Sequence, residues 1–150
     1  MRLVRSFWFL FVIAAAACSA GISAPPPRFP HALAQHACGP TDGPAVAVFL
    51  ARDAAESPPP ATPYVRVYLD KSVDELDGHT WSVAGDNSQG GAWYYSSTDA
   101  SEPATSGYMS ATSVSDGTVI EGNVNLTFPK AGHVSGGFRA QLFPNPNLCG

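Results

Sequence analysis

The sequence predicts an all-β protein, an antiparallel β-sandwich of immunoglobulin-like size with about seven strands, and a small β-barrel is the alternative. Three observations support this fold class. Apolar residues recur at every second position in several segments, as the buried face of a strand requires. These segments are short, and pieces rich in Gly, Pro, Ser and Asp, which favour turns, separate them. No segment has a sustained helical period.

The clearest strand pattern lies towards the C-terminus. In residues 120–128 (IEGNVNLTF), apolar residues and a glycine share one face, and polar residues share the other. Residues 134–142 (VSGGFRAQL) resume the alternation after a short turn at residues 129–132 (PKAG). Two alternating runs that are joined by a short loop containing glycine predict a β-hairpin.

A further strand is predicted at residues 64–70 (YVRVYLD), where Val65, Val67 and Leu69 alternate with polar and aromatic residues. Weaker patterns predict four more strands, at residues 45–51, 79–84, 92–97 and 108–114. Two pieces rich in turn-forming residues, 56–62 and 98–107, are predicted to connect strands.

The N-terminus has the pattern of an export signal. Arg2 and Arg5 precede residues 7–17 (FWFLFVIAAAA), which are apolar and uncharged. A membrane-spanning helix needs about 20 apolar residues, so this run is too short to span a bilayer. A positive start, a short apolar run and small residues after it are typical of a secretory signal peptide.

Residues 15–18 (AAAC) end this segment with small residues before a cysteine, and they resemble the lipobox of bacterial lipoproteins. The resemblance covers residues 1–18 only, and Ala15 stands where that family usually has Leu. It implies that residues 1–17 are removed as a signal peptide. It also implies that Cys18 becomes the first residue of the mature chain and carries a lipid with fatty acids such as palmitate.

The residue after the lipidated cysteine directs sorting in that family. Ser19 is not the Asp that marks retention in the inner membrane, so the resemblance implies an anchor in the bacterial outer membrane or at the cell surface. Cleavage after Ala20, with release to the periplasm or medium, is the alternative. Residues 18–37 hold four prolines and few large apolar residues, and we expect a lipidated tether there before a folded domain at residues 38–150.

The chain has three cysteines, Cys18, Cys38 and Cys149, and an odd number in an exported protein leaves one to be explained. Lipidation of Cys18, or its removal by cleavage after Ala20, leaves an even pair. In an oxidising compartment this pair predicts a disulfide between Cys38 and Cys149. Closing a loop of about 100 residues stabilises a fold by roughly 4–5 kcal/mol in the chain-entropy model.

The charge balance excludes one class of partner. The chain has eight Lys and Arg residues against twelve Asp and Glu, and loss of Arg2 and Arg5 with the signal peptide leaves six basic residues. Binding to nucleic acid depends on neutralising phosphates with Lys and Arg, so this acidic balance argues against a nucleic-acid partner. The expected partners are the membrane, through the lipid anchor, and a glycan or protein ligand.

No motif specifies a catalytic residue, a metal ion or a cofactor. Residues 85–91 (GDNSQGG), taken with His36, resemble parts of the serine-protease motifs, but Asn87 and Gln89 alter the turn that would present Ser88. The histidines lie in or beside the tether, or singly on predicted strands, and lack the spacing of a metal site. The acidic turns do not have the spacing of an EF-hand loop.

Aromatic residues are the candidates for a binding site. Trp93, Tyr94 and Tyr95 follow two glycines, and on a strand Trp93 and Tyr95 share one face while Tyr94 takes the other. Tyr64 and Tyr68 share the polar face of their own strand. The ordinary structural interpretation is that one side of these residues fills the core and the other covers an edge. Exposed aromatic residues instead stack on sugars or anchor protein contacts.

The sequence therefore predicts a secreted, lipid-anchored protein of the cell envelope with a non-catalytic binding or structural role. A small glycan-binding module that uses the aromatic residues is the specific form of this prediction. A small envelope hydrolase or metal-dependent enzyme is the alternative class.

Overall fold

The computed structural model describes residues 29–40, 42–86 and 88–144, and these residues form nine β-strands and a single 3-10 turn. The all-β prediction is confirmed, whereas the predicted number of about seven strands is wrong. No helix among the described residues is long and apolar enough to cross a membrane. The elements are β1 (His31–Cys38), β2 (Pro44–Ala51), β3 (Tyr64–Leu69), the 3-10 turn (Val73–Glu75), β4 (Thr80–Ser82), β5 (Gly90–Ser97), β6 (Ala100–Pro103), β7 (Ser106–Ser115), β8 (Val119–Phe128) and β9 (Gly132–Phe143).

All nine strands belong to one mixed sheet with the order β4-β7-β8-β9-β1-β2-β3-β5-β6. Neighbouring strands are antiparallel except β1 and β9, which are parallel. The sheet curls into a half-barrel, so the described residues form a single sheet and not the two packed sheets of the predicted sandwich. The physical reason is that the twist between neighbouring strands accumulates across a large sheet and bends it around its own core.

The predicted C-terminal hairpin is confirmed in β8 and β9. The two strands are in register from Val119 opposite Gln141 to Phe128 opposite Gly132. Gly132 has a φ of 78°, a left-handed conformation that glycine adopts without steric cost. The glycine that ends the loop therefore permits the tight reversal between the two alternating runs.

β1 (HALAQHAC) lies in the segment that the sequence assigns to the tether, so the predicted boundary between tether and domain at residue 38 is wrong. The strand lies between β2 and β9, and it pairs with both. Its small residues hide the alternation of a strand, but they let the strand lie inside the sheet, where Ala34 is fully buried. Residues 31–37 thus belong to the folded domain, and residues 18–28 lie outside the described part of the chain.

The extended segment formed by β6 and β7 connects the two end regions of the curled sheet. β6, which lies in a piece predicted as a turn, pairs with β5, and the chain then continues into β7, which pairs with β8. Between the two strands, the backbone N–H of Ala104 donates to the carbonyl oxygen of Ala92 at 2.8 Å. The next N–H, of Thr105, donates to the carbonyl oxygen of Thr127 at 2.8 Å. These bonds join β5 to β8 through the same stretch of chain.

The inner face of the curl holds the main core. In β3, every second side chain, those of Val65, Val67 and Leu69, is fully buried there. Full burial of one such side chain contributes about 1.5–3 kcal/mol. No polar or charged residue of the described chain is buried, so the core is held by apolar packing. The largest fully buried side chains are Phe128, Leu69, Leu76, Met109, Ile120 and Leu126.

β2 is buried on both of its faces. Its inward side chains join the main core, while Ala47 and Phe49 point outward and form a second, smaller cluster with Leu33. A strand that is covered on both faces has apolar residues at consecutive positions, because both sets of side chains are buried. This explains the sequence PAVAVFLA. Tyr64 and Tyr68 of β3 pack against this second cluster, so aromatic side chains extend the outer face towards β5.

Candidate binding surface

The outer face of β3 and β5 brings together four of the five aromatic residues that the sequence singles out. Antiparallel pairing places Tyr64 opposite Tyr95 and Arg66 opposite Trp93. Because the alternate residues of β3 fill the inner core, Tyr64, Arg66 and Tyr68 all lie on the outer face. Tyr64, Arg66, Tyr68, Trp93 and Tyr95 are each half-buried, and we call this set the aromatic surface.

Tyr64 and Tyr95 form a stacked pair. Their ring centres are 4.7 Å apart, and the angle between the ring planes is 19°. Phe49 contacts Tyr64 from β2, with 5.9 Å between ring centres, and is only 5% exposed. Aromatic pairs of this kind contribute about 0.5–1.5 kcal/mol beyond the area that they bury. The pair is therefore anchored to the outer cluster and is ordered without a ligand.

The Trp93 ring packs over Gly91, which has no side chain. A Cβ atom built on Gly91 overlaps the six-membered ring of Trp93 at Cη2, Cζ3 and Cζ2. Gly91 is not among the glycines with positive φ, so its role is to leave space rather than to permit an unusual backbone conformation. Trp93 is half-buried, so the ring that packs over Gly91 stays partly accessible. Trp93 therefore offers part of a flat apolar ring at the surface.

The Tyr68 ring contacts the guanidinium of Arg66 and helps to position it. The Tyr68 hydroxyl donates a hydrogen bond to the carbonyl oxygen of Cys38 at 2.8 Å. Cys38 ends β1, so Tyr68 reaches across β2, where its neighbour Ala47 is small. The guanidinium carbon of Arg66 lies 5.4 Å from the centre of the Tyr68 ring, within the range of a cation–π contact.

Arg66, Tyr68 and Trp93 line a shallow depression of about 340 Å³, which residues 38–40 border on the other side. Binding sites for small ligands have volumes from about 300 Å³ upwards. The Nε atom of Arg66 is buried and has no hydrogen-bond partner within the described part of the chain. Neither of the two ion pairs among the described residues includes Arg66. The depression thus combines a flat ring with a positive charge that no described carboxylate neutralises.

The surroundings keep two hydroxyl groups of the aromatic surface neutral. Burial, and then Tyr95, raises the pKa of Tyr64 above its ordinary value, while the charge of Arg66 opposes the rise. Burial, followed by the Asp70 carboxylate, raises the pKa of Tyr68, again against the charge of Arg66. Both hydroxyls remain protonated well above neutral pH, and each keeps an oxygen that can accept a hydrogen bond from a ligand.

Tyr94 does not belong to the aromatic surface, because it lies on the opposite face of β5. Its ring centre is 6.0 Å from that of Phe128 in the core and 6.4 Å from that of Phe29. It borders a separate depression of about 300 Å³ beside Glu102, whose carboxylate accepts hydrogen bonds from the backbone N–H of Lys130. The structure therefore separates Tyr94 from the other four predicted binding residues.

The histidine and serine candidates occupy local turns and strands. His79 Nδ1 lies 2.6 Å from the carbonyl oxygen of Asp77, and its ring lies against Trp81. Ser88 donates its backbone N–H to the carbonyl oxygen of Gly85 within a turn. Within residues 29–40, 42–86 and 88–144, there is no group of three or more His, Cys, Asp and Glu side chains that could hold a metal ion.

Two of the three cysteines, Cys18 and Cys149, lie outside the described residues. Lipidation of Cys18 and a disulfide between Cys38 and Cys149 therefore stay predictions. Cys38 itself ends β1 at the border of the depression. The predicted disulfide would tie the C-terminal end of the chain to this border.

Two residues that shape the aromatic surface, Arg66 and Gly91, are not among the binding residues predicted from the sequence. Arg66 stands between Tyr64 and Tyr68 in a pattern of period two, so asking which residue shares their face would find it. Gly91 carries no such signal, because the space it leaves matters only once the orientation of the Trp93 ring is known.

Comparisons with protein-family models, with curated proteins and with solved structures found no significant match to this chain.

Proposed function

We propose that the protein is an exported protein of the cell envelope with a non-catalytic binding role, and that it binds a glycan on the aromatic surface. The observation that carries this proposal is the partly accessible Trp93 ring, packed over Gly91, on the same face of the sheet as the stacked pair of Tyr64 and Tyr95. Gly91 and Phe49 fix these rings before a ligand arrives. Preorganised side chains lose little conformational entropy on binding, which favours affinity from a small contact area.

A glycan suits a surface that is both aromatic and polar. The C–H groups on one face of a pyranose ring pack against an indole or phenol ring, while the hydroxyl groups at its rim need hydrogen-bond partners. Tyr68 and Arg66 supply polar groups next to Trp93 around the same depression. Aromatic residues that only filled a core would be buried, whereas Trp93 and Tyr95 are only half-buried.

Two features of the sequence support the proposed location: the N-terminal pattern typical of a signal peptide and the resemblance to a lipobox. With Cys18 lipidated, the stretch from this residue to the start of β1 at His31 spans at most about 40–50 Å when fully extended. That reach is comparable to the thickness of a whole bilayer, which is about 40–45 Å with its headgroups. The domain could therefore meet glycans beyond the headgroup layer. Cleavage after Ala20 would release the same domain.

The test is a glycan array probed with the mature protein, followed by calorimetry on the glycans that bind. Trp93→Ala should lower the affinity roughly 30-fold or more, because aromatic residues at the centre of a binding site contribute about 2 kcal/mol or more. Tyr108→Ala is the matched control, since Tyr108 is an aromatic residue of β7 that is 44% exposed and lies outside the aromatic surface. Its affinity should equal that of the native protein.

Equal affinities of Trp93→Ala and Tyr108→Ala for the same glycan would remove the aromatic surface from the binding site. Thermal unfolding of both variants checks that neither has lost its fold. The proposed location has a separate test, which is the intact mass of the natively expressed protein. A mass that starts at Cys18 and includes acyl chains supports the anchor, and a mass that starts after Ala20 supports release.

A further inference from the structure

We propose that the depression beside Trp93 selects an acidic sugar, a pyranose that carries a carboxylate, and that Arg66 pairs with this carboxylate. The proposal rests on the proposed glycan binding and adds the class of ligand. It is carried by a charged group for which the described residues supply no acceptor, because the buried Nε atom of Arg66 has no hydrogen-bond partner among them. A buried donor without an acceptor is costly, and a ligand oxygen removes that cost.

The protein does not neutralise the charge of Arg66 within its described residues. The two ion pairs present there join other residues, and the contact of Arg66 is with the Tyr68 ring. The Asp70 carboxylate acts on Tyr68 but forms no ion pair with Arg66. Within the described residues, the aromatic surface thus holds a positive charge outside any ion pair, in a chain with a formal net charge of -4. The local charge therefore favours a ligand of opposite sign.

The position of Arg66 relative to Trp93 suits a sugar rather than a free small anion. The two residues are directly opposite each other on β3 and β5, and both line the depression. A pyranose ring that stacks on Trp93 consequently places its substituents beside the guanidinium. Tyr68, held by its bond to Cys38, keeps the Arg66 guanidinium at this border.

A carboxylate fits this site better than a more highly charged group. The planar guanidinium donates two parallel N–H bonds, which match the two oxygens of a carboxylate. One arginine balances one negative charge, and the acidic chain as a whole repels an anion that carries several. Hexuronic acids have the required combination of a pyranose ring and a single carboxylate.

The experiment uses calorimetry on the mature protein with oligosaccharides that carry a single galacturonic, glucuronic or mannuronic acid ring, each compared with its methyl ester. The acid and its ester share rings and linkages and differ in charge. We expect at least one acid to bind roughly tenfold or more tightly than its ester, as for a hydrogen bond to a charged group. Added salt should reduce this preference. Arg66→Gln should abolish the preference for the acid. Arg66→Lys keeps the charge but cannot donate two parallel hydrogen bonds, so it should retain part of the preference.

Arg139→Gln is the control, because Arg139 lies on β9, its side chain is 68% exposed, and it is not part of the depression. It should keep the full preference, and similar unfolding midpoints of Arg66→Gln and Arg139→Gln would show that both are folded. Equal binding of acids and esters by the native protein overturns the acidic-sugar proposal and leaves glycan binding intact. A preference that persists in Arg66→Gln also overturns it. Failure to bind these sugars or any glycan of the array contradicts the proposed function itself.

Discussion

The inner and outer faces of β3 differ in side-chain type and in burial although they share one backbone. On the inner face, Val65, Val67 and Leu69 are fully buried, whereas Tyr64 and Arg66 on the outer face are only half-buried. The inner side chains are aliphatic and act through burial and close packing. The outer side chains are large, have polar ends and stay accessible. The comparison indicates that the inner face stabilises the sheet and that the outer face is available for binding.

This division of roles predicts that substitutions on the two faces change different properties. An inner substitution should lower the free energy of unfolding and leave the affinity of the folded protein unchanged. An outer substitution should change the affinity more than the stability. Intermediate effects are expected where an outer residue also fixes the position of its neighbours.

The largest change in stability should come from Leu126→Ala on β8. Leu126 is fully buried in the inner core, and removing its side chain leaves a cavity that costs about 2–5 kcal/mol. Chemical unfolding followed by circular dichroism measures this loss. Glycan affinity, measured where the variant is folded, should equal that of the native protein. A variant that lost affinity and kept its stability would contradict the division between the two faces.

Gly91→Ala should have the next largest effect, and it should change both properties. The new Cβ atom displaces the Trp93 ring from β5, so we expect a loss of about 1–3 kcal/mol, altered tryptophan fluorescence and weaker glycan binding. Gly137→Ala on β9 is the matched control. A Cβ atom there lies 3.4 Å from Asn123 Oδ1, an ordinary contact, so its stability should change by about 0.5 kcal/mol or less. Similar results for the two variants would show that Trp93 does not depend on Gly91.

Tyr68→Phe should have a smaller effect on stability. It removes the hydroxyl that donates to the carbonyl oxygen of Cys38, and a hydrogen bond of this kind contributes about 0.5–1.5 kcal/mol. Tyr95→Phe is the control, since the described residues show no hydrogen bond of the Tyr95 hydroxyl while its ring stacks on Tyr64. Thermal unfolding should lower the midpoint of Tyr68→Phe more than that of Tyr95→Phe. The reverse order would mean that the bond to Cys38 does not hold Tyr68.

The strands differ in how far the sequence predicts them. β8 and β9 are predictable because each has one buried and one exposed face, and the apolar period of two records this directly. β1 consists largely of small residues and pairs with β9 from the other end of the chain. No local sequence pattern therefore predicts this strand or its position in the sheet. β6 forms because the curled sheet brings β5 and β8 to the same stretch of chain. The curl itself depends on such long-range pairing, and the choice between a sandwich and a half-barrel was not available from the sequence.

The same distinction holds within the aromatic surface. The shared face of Tyr64 and Tyr68, and that of Trp93 and Tyr95, follows from the period of a strand. The pairing of the two strands, which stacks one tyrosine on another, requires the register of the sheet. The depression depends on the end of β1, which is distant in sequence, and so does the finding that the Arg66 Nε has no acceptor among the described residues.

The smallest expected effect is a pH dependence of stability that comes from the outer face. The fully buried inner residues of β3 do not titrate, whereas burial raises the pKa values of Tyr64 and Tyr68. A group with a raised pKa in the folded state gives a contribution that is fully present below its ordinary pKa of about 10 and is lost as the pH rises through the folded-state value. We therefore expect the free energy of unfolding to fall above about pH 10. Replacing both tyrosines by Phe should make this fall shallower, while Trp93→Phe, which removes no titrating group, should leave its slope unchanged. An equal slope in all three proteins would assign the alkaline loss of stability to groups outside the aromatic surface.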